Sequence, residues 1–244
     1  MRLVIPCMKC GFDSVDPREK YTSVEFRDDG RFELECERGH RTVTILQEAK
    51  YEVLFEIGLN AIIDGYYREA VSSFAACLER FYEFSVGVLL EEAGVARGMV
   101  RSTWKLVSTS SERQLGAFAL LWLRHFSEVP ALLSTNDVAF RNDVIHKGLI
   151  PTAESATAFG DAVLVVILPK LARIAGELSE SLGKSIFHTL SERRTEGDTR
   201  LSAGTMTIPT AFRLAQAEPE VPHSVASNLL RIAQARRRTN GPVV

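Results

Sequence analysis

The spacing of apolar residues changes once along the chain, near residue 47. Before that point apolar and polar positions alternate with a period of two, and after it apolar positions recur every three or four residues. The first pattern is typical of half-buried strands and the second of amphipathic helices. In the N-terminal part the segment "YTSVEFRDDGRFELEC" predicts two strands around a turn at Asp29-Gly30, and "RTVTIL" predicts a third strand. The pattern therefore indicates a small β module followed by helices.

Five helices with short connections are predicted after residue 47, as expected for an all-α bundle. They are, in chain order, "QEAKYEVLFEIGLNAIIDG", "YYREAVSSFAACLERFYEFSVGVLLEEAG", "SERQLGAFALLWLRHF", a segment at about 136–147, and the segment that begins at "IPTAESATAFG". Ser111 and Thr152 are expected to cap the third and fifth helices, and Gly148 to stop the fourth. Pro169 is expected to kink or end the fifth.

The periodicity weakens after residue 184, where the chain is polar and rich in Gly and Thr, with one short helix predicted at "SVASNLLRIAQARRR". The predicted organisation is a zinc ribbon at 1–46, an all-α bundle at 47–183 and a weakly structured basic tail at 184–244. The tail is either a loosely ordered solvated patch or an arm that contacts RNA or a second subunit.

Composition and charge restrict the class of protein. An apolar share of 45% in 244 residues is enough for a buried core, and the net charge of −2 excludes a strongly cationic surface that coats nucleic acid. Residues 51–183 carry eleven Lys and Arg against sixteen Asp and Glu, so any nucleic-acid chemistry there needs a local site. Glu52 and Glu56 are expected on a solvated face. The chain shows neither a membrane-spanning run nor a signal peptide, which predicts a cytoplasmic protein with reduced thiols.

Three cysteines and one histidine have the spacing of a metal site. Cys7, Cys10, Cys36 and His40 follow the pattern C-x2-C-x25-C-x3-H, and three thiolates with one imidazole form a tetrahedral ligand set that zinc favours. Since all four positions are protein ligands, the zinc is expected to be structural. A redox pair of Cys7 and Cys10, or four unrelated residues, are the alternatives. Cys77 falls in a helical apolar stripe and is expected in the core.

The stretch "RNDVIHKG", residues 141–148, holds the candidate catalytic residues Arg141, Asn142 and His146. A histidine can transfer protons near neutral pH, and an arginine can neutralise charge on a phosphoryl group. On an ideal helix, positions 141 and 146 are separated by about 140°, so one helix alone makes a sparse site. Two copies about a two-fold axis supply two of each residue. The alternative is an ordinary helix end, where His146 complements the dipole and Arg141 forms a surface ion pair.

The second predicted helix, followed by "FRNDVIHKGLIPTAESATAFGDAVLVVI", resembles the HEPN superfamily, whose all-α bundles carry an R-x4-6-H motif. The resemblance covers about residues 50–175. It implies a metal-independent endoribonuclease that works as a homodimer, with Arg141 and His146 catalytic, Asn142 assisting, and a 2',3'-cyclic phosphate as product. Many members of this superfamily are toxins or effectors of defence against phage.

A function of another class fits the sequence as well. Other members of the superfamily are inactive and bind RNA, nucleotide or a partner, so the chain can be a dimerisation or adaptor protein. The acidic balance of residues 51–183 suits that alternative slightly better. In either case a protein partner at the zinc ribbon or the tail is compatible with the sequence, and no membrane partner is expected.

Overall fold

The structure is a computed structural model that describes residues 2–10, 21–195 and 200–240. Within these residues the chain is mainly α-helical with a small β part, as the sequence predicts. The strands are β1 (Arg2–Pro6), β2 (Tyr21–Glu25), β3 (Arg31–Glu35), β4 (Arg41–Leu46) and β5 (Ser202–Met206). The helices are α1 (Lys50–Ile63), α2 (Tyr67–Glu92), α3 (Arg97–Val107), α4 (Ser111–Phe126), α5 (Thr135–His146), α6 (Ala153–Glu177), α7 (Ser179–Thr195), α8 (Ala211–Ala217) and α9 (Val225–Asn240). None of these described helices has the length and hydropathy needed to cross a membrane.

The chain divides into two compact units. The first comprises residues 1–48 and 183–208, and the second comprises residues 49–182 and 209–244. The C-terminal segment, which was expected to form a separate tail, is therefore divided between the two units.

The β unit contains two sheets. β1 and β2 form an antiparallel pair with Pro6 opposite Tyr21, and β3, β4 and β5 form a three-stranded sheet. The expected turn is present, because the Gly30 N–H donates to the Arg27 carbonyl at 3.2 Å and Gly30 has a φ of +63°. However, the predicted hairpin across Asp29-Gly30 is wrong, since within the described residues β2 pairs with β1 and β3 pairs with β4. β1, the strand before Cys7 and Cys10, takes the place beside β2 that the sequence pattern assigned to β3.

The strand β5 lies in the segment expected to be weakly structured, and that prediction is corrected here. β5 pairs in parallel with β4, and such a partner 160 residues away leaves no local sequence pattern. Buried Glu48 holds the end of β5, since its Oε1 accepts from Thr207 Oγ1 at 2.5 Å and from the Ile208 N–H at 3.0 Å. Long-range pairing of this kind orders a segment whose own periodicity is weak.

The helical unit has one core that is rich in aromatic side chains. The stripe of α2 predicted from its spacing is buried along most of its length, with Phe74, Cys77 and Phe81 fully enclosed. α1 packs along α2, where Phe55 and Phe74 have ring centroids 4.7 Å apart. Cys77 is thus a core residue, as expected.

The tail also supplies part of this core. Phe212 of α8 is fully buried, with its ring 5.3 Å from that of Tyr51 and 5.1 Å from that of Phe55. Burial of one phenylalanine stabilises a fold by about 1.5–3 kcal/mol. The expected solvated face of α1 is also wrong, because Glu52 and Glu56 are buried against the same C-terminal segment. Their partners there include Thr210 and Arg231.

Helix ends follow the sequence closely, with two differences. Thr152 caps α6 as predicted, accepting from the Ser155 N–H at 3.2 Å, and Gly148 adopts a φ of +76° after α5. The cap of α4 is Ser110 and not Ser111. α6 does not end at Pro169 but continues to Glu177, and its buried positions resume after the proline at Lys170, Leu171 and Ile174.

Candidate functional site

The four predicted metal ligands lie together in the β unit. Cys7 and Cys10 follow β1, while Cys36 and His40 stand at the two ends of the turn that joins β3 to β4. The Gly39 N–H donates to the Cys36 carbonyl at 2.8 Å in this turn, and the φ of +73° at Gly39 favours glycine. Three of the ligands are buried and His40 is half-buried. The local turn therefore brings two ligands to the point where β1 delivers the other two.

The distances between the ligand atoms match a tetrahedral metal site. The donor atoms all lie within 4.8 Å of one another. Cys10 Sγ is 3.9 Å from Cys36 Sγ and 3.5 Å from His40 Nδ1, and Cys7 Sγ is 3.9 Å from His40 Nδ1. With metal–sulfur bonds of about 2.3 Å and metal–nitrogen bonds of about 2.0 Å, a regular tetrahedron separates two sulfurs by about 3.8 Å and a sulfur from a nitrogen by about 3.5 Å. The cluster can hold a metal ion.

The surroundings of these thiols affect their ionisation differently. Burial, together with hydrogen bonds to Cys7 and Cys36, raises the pKa of Cys10 to about 11. Burial also acts to raise the pKa of Cys36, but backbone N–H groups of His40 and Arg38 outweigh it and leave that pKa lowered. Backbone donors that point at a cysteine sulfur stabilise the thiolate, which is the form that binds metal.

Arg141 and Asn142 are brought together with a glutamate from another helix. Arg141 Nη2 donates to Glu79 Oε1 at 2.7 Å, and Arg141 Nη1 donates to Asn142 Oδ1 at 3.0 Å. The Arg141 side chain is 20% exposed, so the guanidinium is held in place yet open to one side. Two of its five N–H donors are used in these bonds, which fix its orientation.

The helix that carries these residues lies on the surface of the helical unit. Val144 is the one buried residue among the twelve described residues of α5. Ser134 caps the helix, since its Oγ accepts from the Asp137 N–H at 3.1 Å. His146 ends the helix and is exposed. The expected separation of Arg141 and His146 around the helix is thus present: Arg141 turns toward α2 and His146 faces solvent.

A pocket of about 200 Å³ opens beside Arg141. Its walls come from α4, α5 and the loop before α5, and its floor comes from α2 and α6. Arg141 and Asn142 line it, together with Glu79 and Glu112, whereas its described lining does not include His146. Hydrogen bonds from its own backbone N–H and from Ser110 lower the pKa of Glu112, and the charges of Arg141 and His146 add a smaller effect in the same direction.

Sequence reasoning missed the two glutamates of this site. Glu79 stands 62 residues before Arg141, and Glu112 is an exposed residue in the first turn of α4, where an acidic side chain is ordinary. Neither belongs to a local motif. Each would have been found only from the packing of α2 and α4 against α5.

Comparisons with known proteins give no match for this chain. No family model matches it, and neither does any curated protein or any solved structure. The resemblance to the HEPN superfamily rests on the second predicted helix and on residues 140–167, and it stays a prediction.

Proposed function

We propose that the protein is a metal-independent endoribonuclease of HEPN type, active as a homodimer and acting as a toxin or a defence effector. The observation that supports this best is the fixed position of Arg141. Glu79 and Asn142 hold its guanidinium at the edge of a pocket, on a surface helix that ends in an exposed His146. An oriented guanidinium and an accessible imidazole on the same helix are a minimal set for RNA cleavage when two copies of the helix meet.

The proposed chemistry needs no metal. The 2'-oxygen of a ribose attacks the adjacent phosphorus, and the bond from phosphorus to the 5'-oxygen breaks. A base takes the 2'-hydroxyl proton and an acid delivers one proton to the leaving 5'-oxygen, which gives a 2',3'-cyclic phosphate and a 5'-hydroxyl. Each copy of His146 can carry one of these protons, and Arg141 neutralises the charge that builds on the phosphoryl oxygens.

The exposed face of α5 supports the dimer. Ala139, Asn142, Asp143 and His146 share one face at helical spacing, and Ala139 and His146 are exposed. The turn that follows exposes Leu149 at 44% and Ile150 at 82%. Exposed apolar residues that border a polar helix face are typical of an interaction surface.

We also propose that the cluster of Cys7, Cys10, Cys36 and His40 binds one structural zinc ion. Three thiolates and one imidazole with tetrahedral spacing are the ligand set of structural zinc sites. Bound zinc would tie the end of β1 to the turn between β3 and β4. Its contribution is to folding, because no ligand position remains for a substrate.

The adaptor function keeps one observation in its favour. Two arginines of the basic C-terminal segment form ion pairs with Glu56 and Asp64 of the helical unit. These cations are therefore engaged within the fold, and the arm expected to contact RNA is less basic than its sequence indicates. A dimer that leaves RNA intact would support the adaptor.

The test is incubation of the purified protein with single-stranded RNA without divalent metal. The chelator is kept mild, and circular dichroism checks that the fold survives. The wild type is expected to cut RNA, a substrate with a 2'-deoxy sugar at the cleavage site to resist, and His146→Ala to lower the rate by about 10²- to 10⁴-fold. Equal cleavage by wild type and His146→Ala would indicate contamination, and normal cleavage of the 2'-deoxy substrate would contradict the mechanism.

A further inference from the structure

The pocket beside Arg141 has an apolar interior that the cleavage chemistry does not use. Seven apolar side chains line it: Ala75, Leu78, Leu115, Leu132, Leu133, Val138 and Phe159. Its volume of about 200 Å³ accommodates one planar ring system. Pockets that bind small ligands are lined mainly by apolar groups with a few placed polar ones, and this pocket has that composition.

The polar side chains that line the pocket are Glu79, Tyr82, Ser111, Glu112, Arg141 and Asn142, and the two glutamates among them act only as hydrogen-bond acceptors when ionised. Two carboxylates, Glu79 and Glu112, lie at the side where Arg141 stands. Glu79 is engaged by Arg141 at 2.7 Å, so Glu112 is the carboxylate placed to receive a ligand. One Glu112 oxygen, Oε2, accepts from Ser110 Oγ at 2.9 Å, which orients the group. An ionised carboxylate has about four lone-pair sites and accepts from several donors at once.

Among the four RNA bases, guanine complements such a carboxylate best. Its N1–H and its N2 amino group lie side by side on the Watson–Crick edge, and both donate. Adenine and cytosine each present a single amino group beside an acceptor nitrogen, and uracil flanks its N3–H with two carbonyl oxygens that repel a carboxylate. Sequence-specific proteins bind single-stranded RNA by enclosing an unstacked base and bonding to this edge.

The charge of Glu112 is retained near neutral pH. Hydrogen bonds from its own backbone N–H and from Ser110, with smaller effects of Arg141 and His146, lower its pKa. The Glu112 carboxylate is thus ionised and accepts hydrogen bonds near neutral pH.

We propose that this pocket binds a guanine base next to the scissile phosphate, with Glu112 accepting from N1–H and N2. The neighbouring phosphate then lies within reach of Arg141, so base selection and charge neutralisation share one edge of the pocket. The proposal rests on the ribonuclease function for its biological meaning, but the binding of guanine can be measured without cleavage.

The first experiment maps cleavage in oligoribonucleotides that differ at one position between G, A, C, U and inosine, which lacks the N2 amino group. The wild type is expected to cut next to G about 10- to 100-fold faster than next to the other bases, since a bidentate contact to one base discriminates by that order. Glu112→Gln and Leu132→Trp, which fills the pocket from its exposed loop, are expected to remove this preference.

Glu154→Gln is the matched control. Glu154 is also an exposed first-turn glutamate bonded to its own helix cap, but it lies on α6 and outside the pocket lining. This variant is expected to keep the preference for G. Cleavage without any base preference, or a preference that Glu112→Gln leaves unchanged, would overturn the pocket while the ribonuclease stands.

The second experiment measures binding of GMP, AMP, CMP and UMP to His146→Ala by NMR titration. GMP is expected to bind most tightly, and Glu112→Gln to weaken it at least 10-fold. GMP binding that depends on Glu112, together with a wild-type protein that leaves RNA intact, would support the pocket and count against the ribonuclease. Equal binding of all four nucleotides would overturn the pocket.

Discussion

Arg231 Nη2 donates to both carboxylate oxygens of Glu56, at 2.8 and 2.9 Å. The Ala211 N–H donates to Glu56 Oε1 as well, at 2.8 Å. A single buried carboxylate on α1 therefore binds both α8 and α9, which lie more than 150 residues later in the chain. This contact explains why the basic C-terminal segment is part of the helical unit.

Arg231→Met is expected to destabilise the protein by about 3 kcal/mol, because it leaves the Glu56 carboxylate buried without its cation. The value is at the low end of the range for a broken buried pair, since a quarter of the Arg231 side chain is exposed. Urea denaturation followed by circular dichroism measures the loss. Arg237→Met, at an exposed position of the same helix, is the control and should change stability by less than about 0.5 kcal/mol.

The stability of the Arg231→Met variant is expected to depend on pH. Burial raises the pKa of Glu56 above 4.5, and Arg231 opposes that rise. Without Arg231 the folded-state pKa rises further, so the folded protein takes up a proton at a pH where the unfolded chain does not. Stability lost at pH 7 should therefore be partly regained as pH falls toward 5. A difference from wild type that stays constant over this range would contradict the role given to the carboxylate.

The sequence predicts what depends on local pattern and misses what depends on distant partners. The strands β2, β3 and β4, the long helix α2 and the cluster of three cysteines and one histidine were found because spacing alone encodes them. The pairing of β4 with β5 and the burial of Glu56 were missed, because a charged side chain looks solvated until its partner is known. The same holds at the candidate site, where Arg141 and His146 form a local motif while Glu79 and Glu112 come from other helices.

The metal cluster is expected to determine the order of the β unit. Elemental analysis of the native protein should find one zinc per chain, and Cys36→Ser should lose it. Limited proteolysis of that variant should then cut within residues 1–46, and also within 200–208, because β5 pairs with β4. Cys77→Ala is the control, since Cys77 lies in the helical core, and it should retain the metal. Zinc well below one per chain in native protein would remove the zinc assignment.

Lys170 offers a second pH-dependent test, in the opposite direction from Glu56. Its Nζ donates to the carbonyls of Ala131 and Val166, at 2.5 and 2.9 Å, which anchors the loop that forms one pocket wall. Burial lowers the pKa of Lys170 from 10.5 to about 8. Between those values the unfolded chain binds more protons than the folded one, so this contribution to stability grows as pH rises.

Lys170→Met removes that contribution. The free energy of unfolding of the wild type, relative to that of Lys170→Met, should therefore increase by about 2 kcal/mol from pH 7.5 to pH 9.5. Urea denaturation at the two pH values measures it. Lys105→Met, at an exposed position of α3, serves as the control and should leave the difference flat.

The dimer is expected to form through the exposed face of α5. Sedimentation at micromolar concentration should find a dimer for the wild type and a monomer for Ala139→Arg, which places a charge on the face that carries His146. Ala139→Arg should also cleave RNA more slowly, because a monomer has one copy of the helix and therefore an incomplete site. Ala158→Arg, at an exposed position of α6, should change neither. A wild-type monomer would count strongly against the arrangement.

Glu79 is expected to act on RNA cleavage through Arg141 alone, as a positioning residue. Arg141→Ala should lower kcat by about 10²- to 10³-fold, since it removes a donor to developing charge, and Asn142→Ala should have a smaller effect. Glu79→Ala frees the guanidinium and should lower kcat with little change in KM, while Glu79→Gln, which can still accept from Arg141, should recover part of the rate.

The decisive measurement is the double variant of Glu79 and Arg141. Because Glu79 has no further role once the guanidinium is gone, the double variant should cut RNA as fast as Arg141→Ala does. If the fold-losses in rate of the two single variants instead multiply in the double variant, the two residues contribute independently. Glu79 would then need a contact of its own with the substrate.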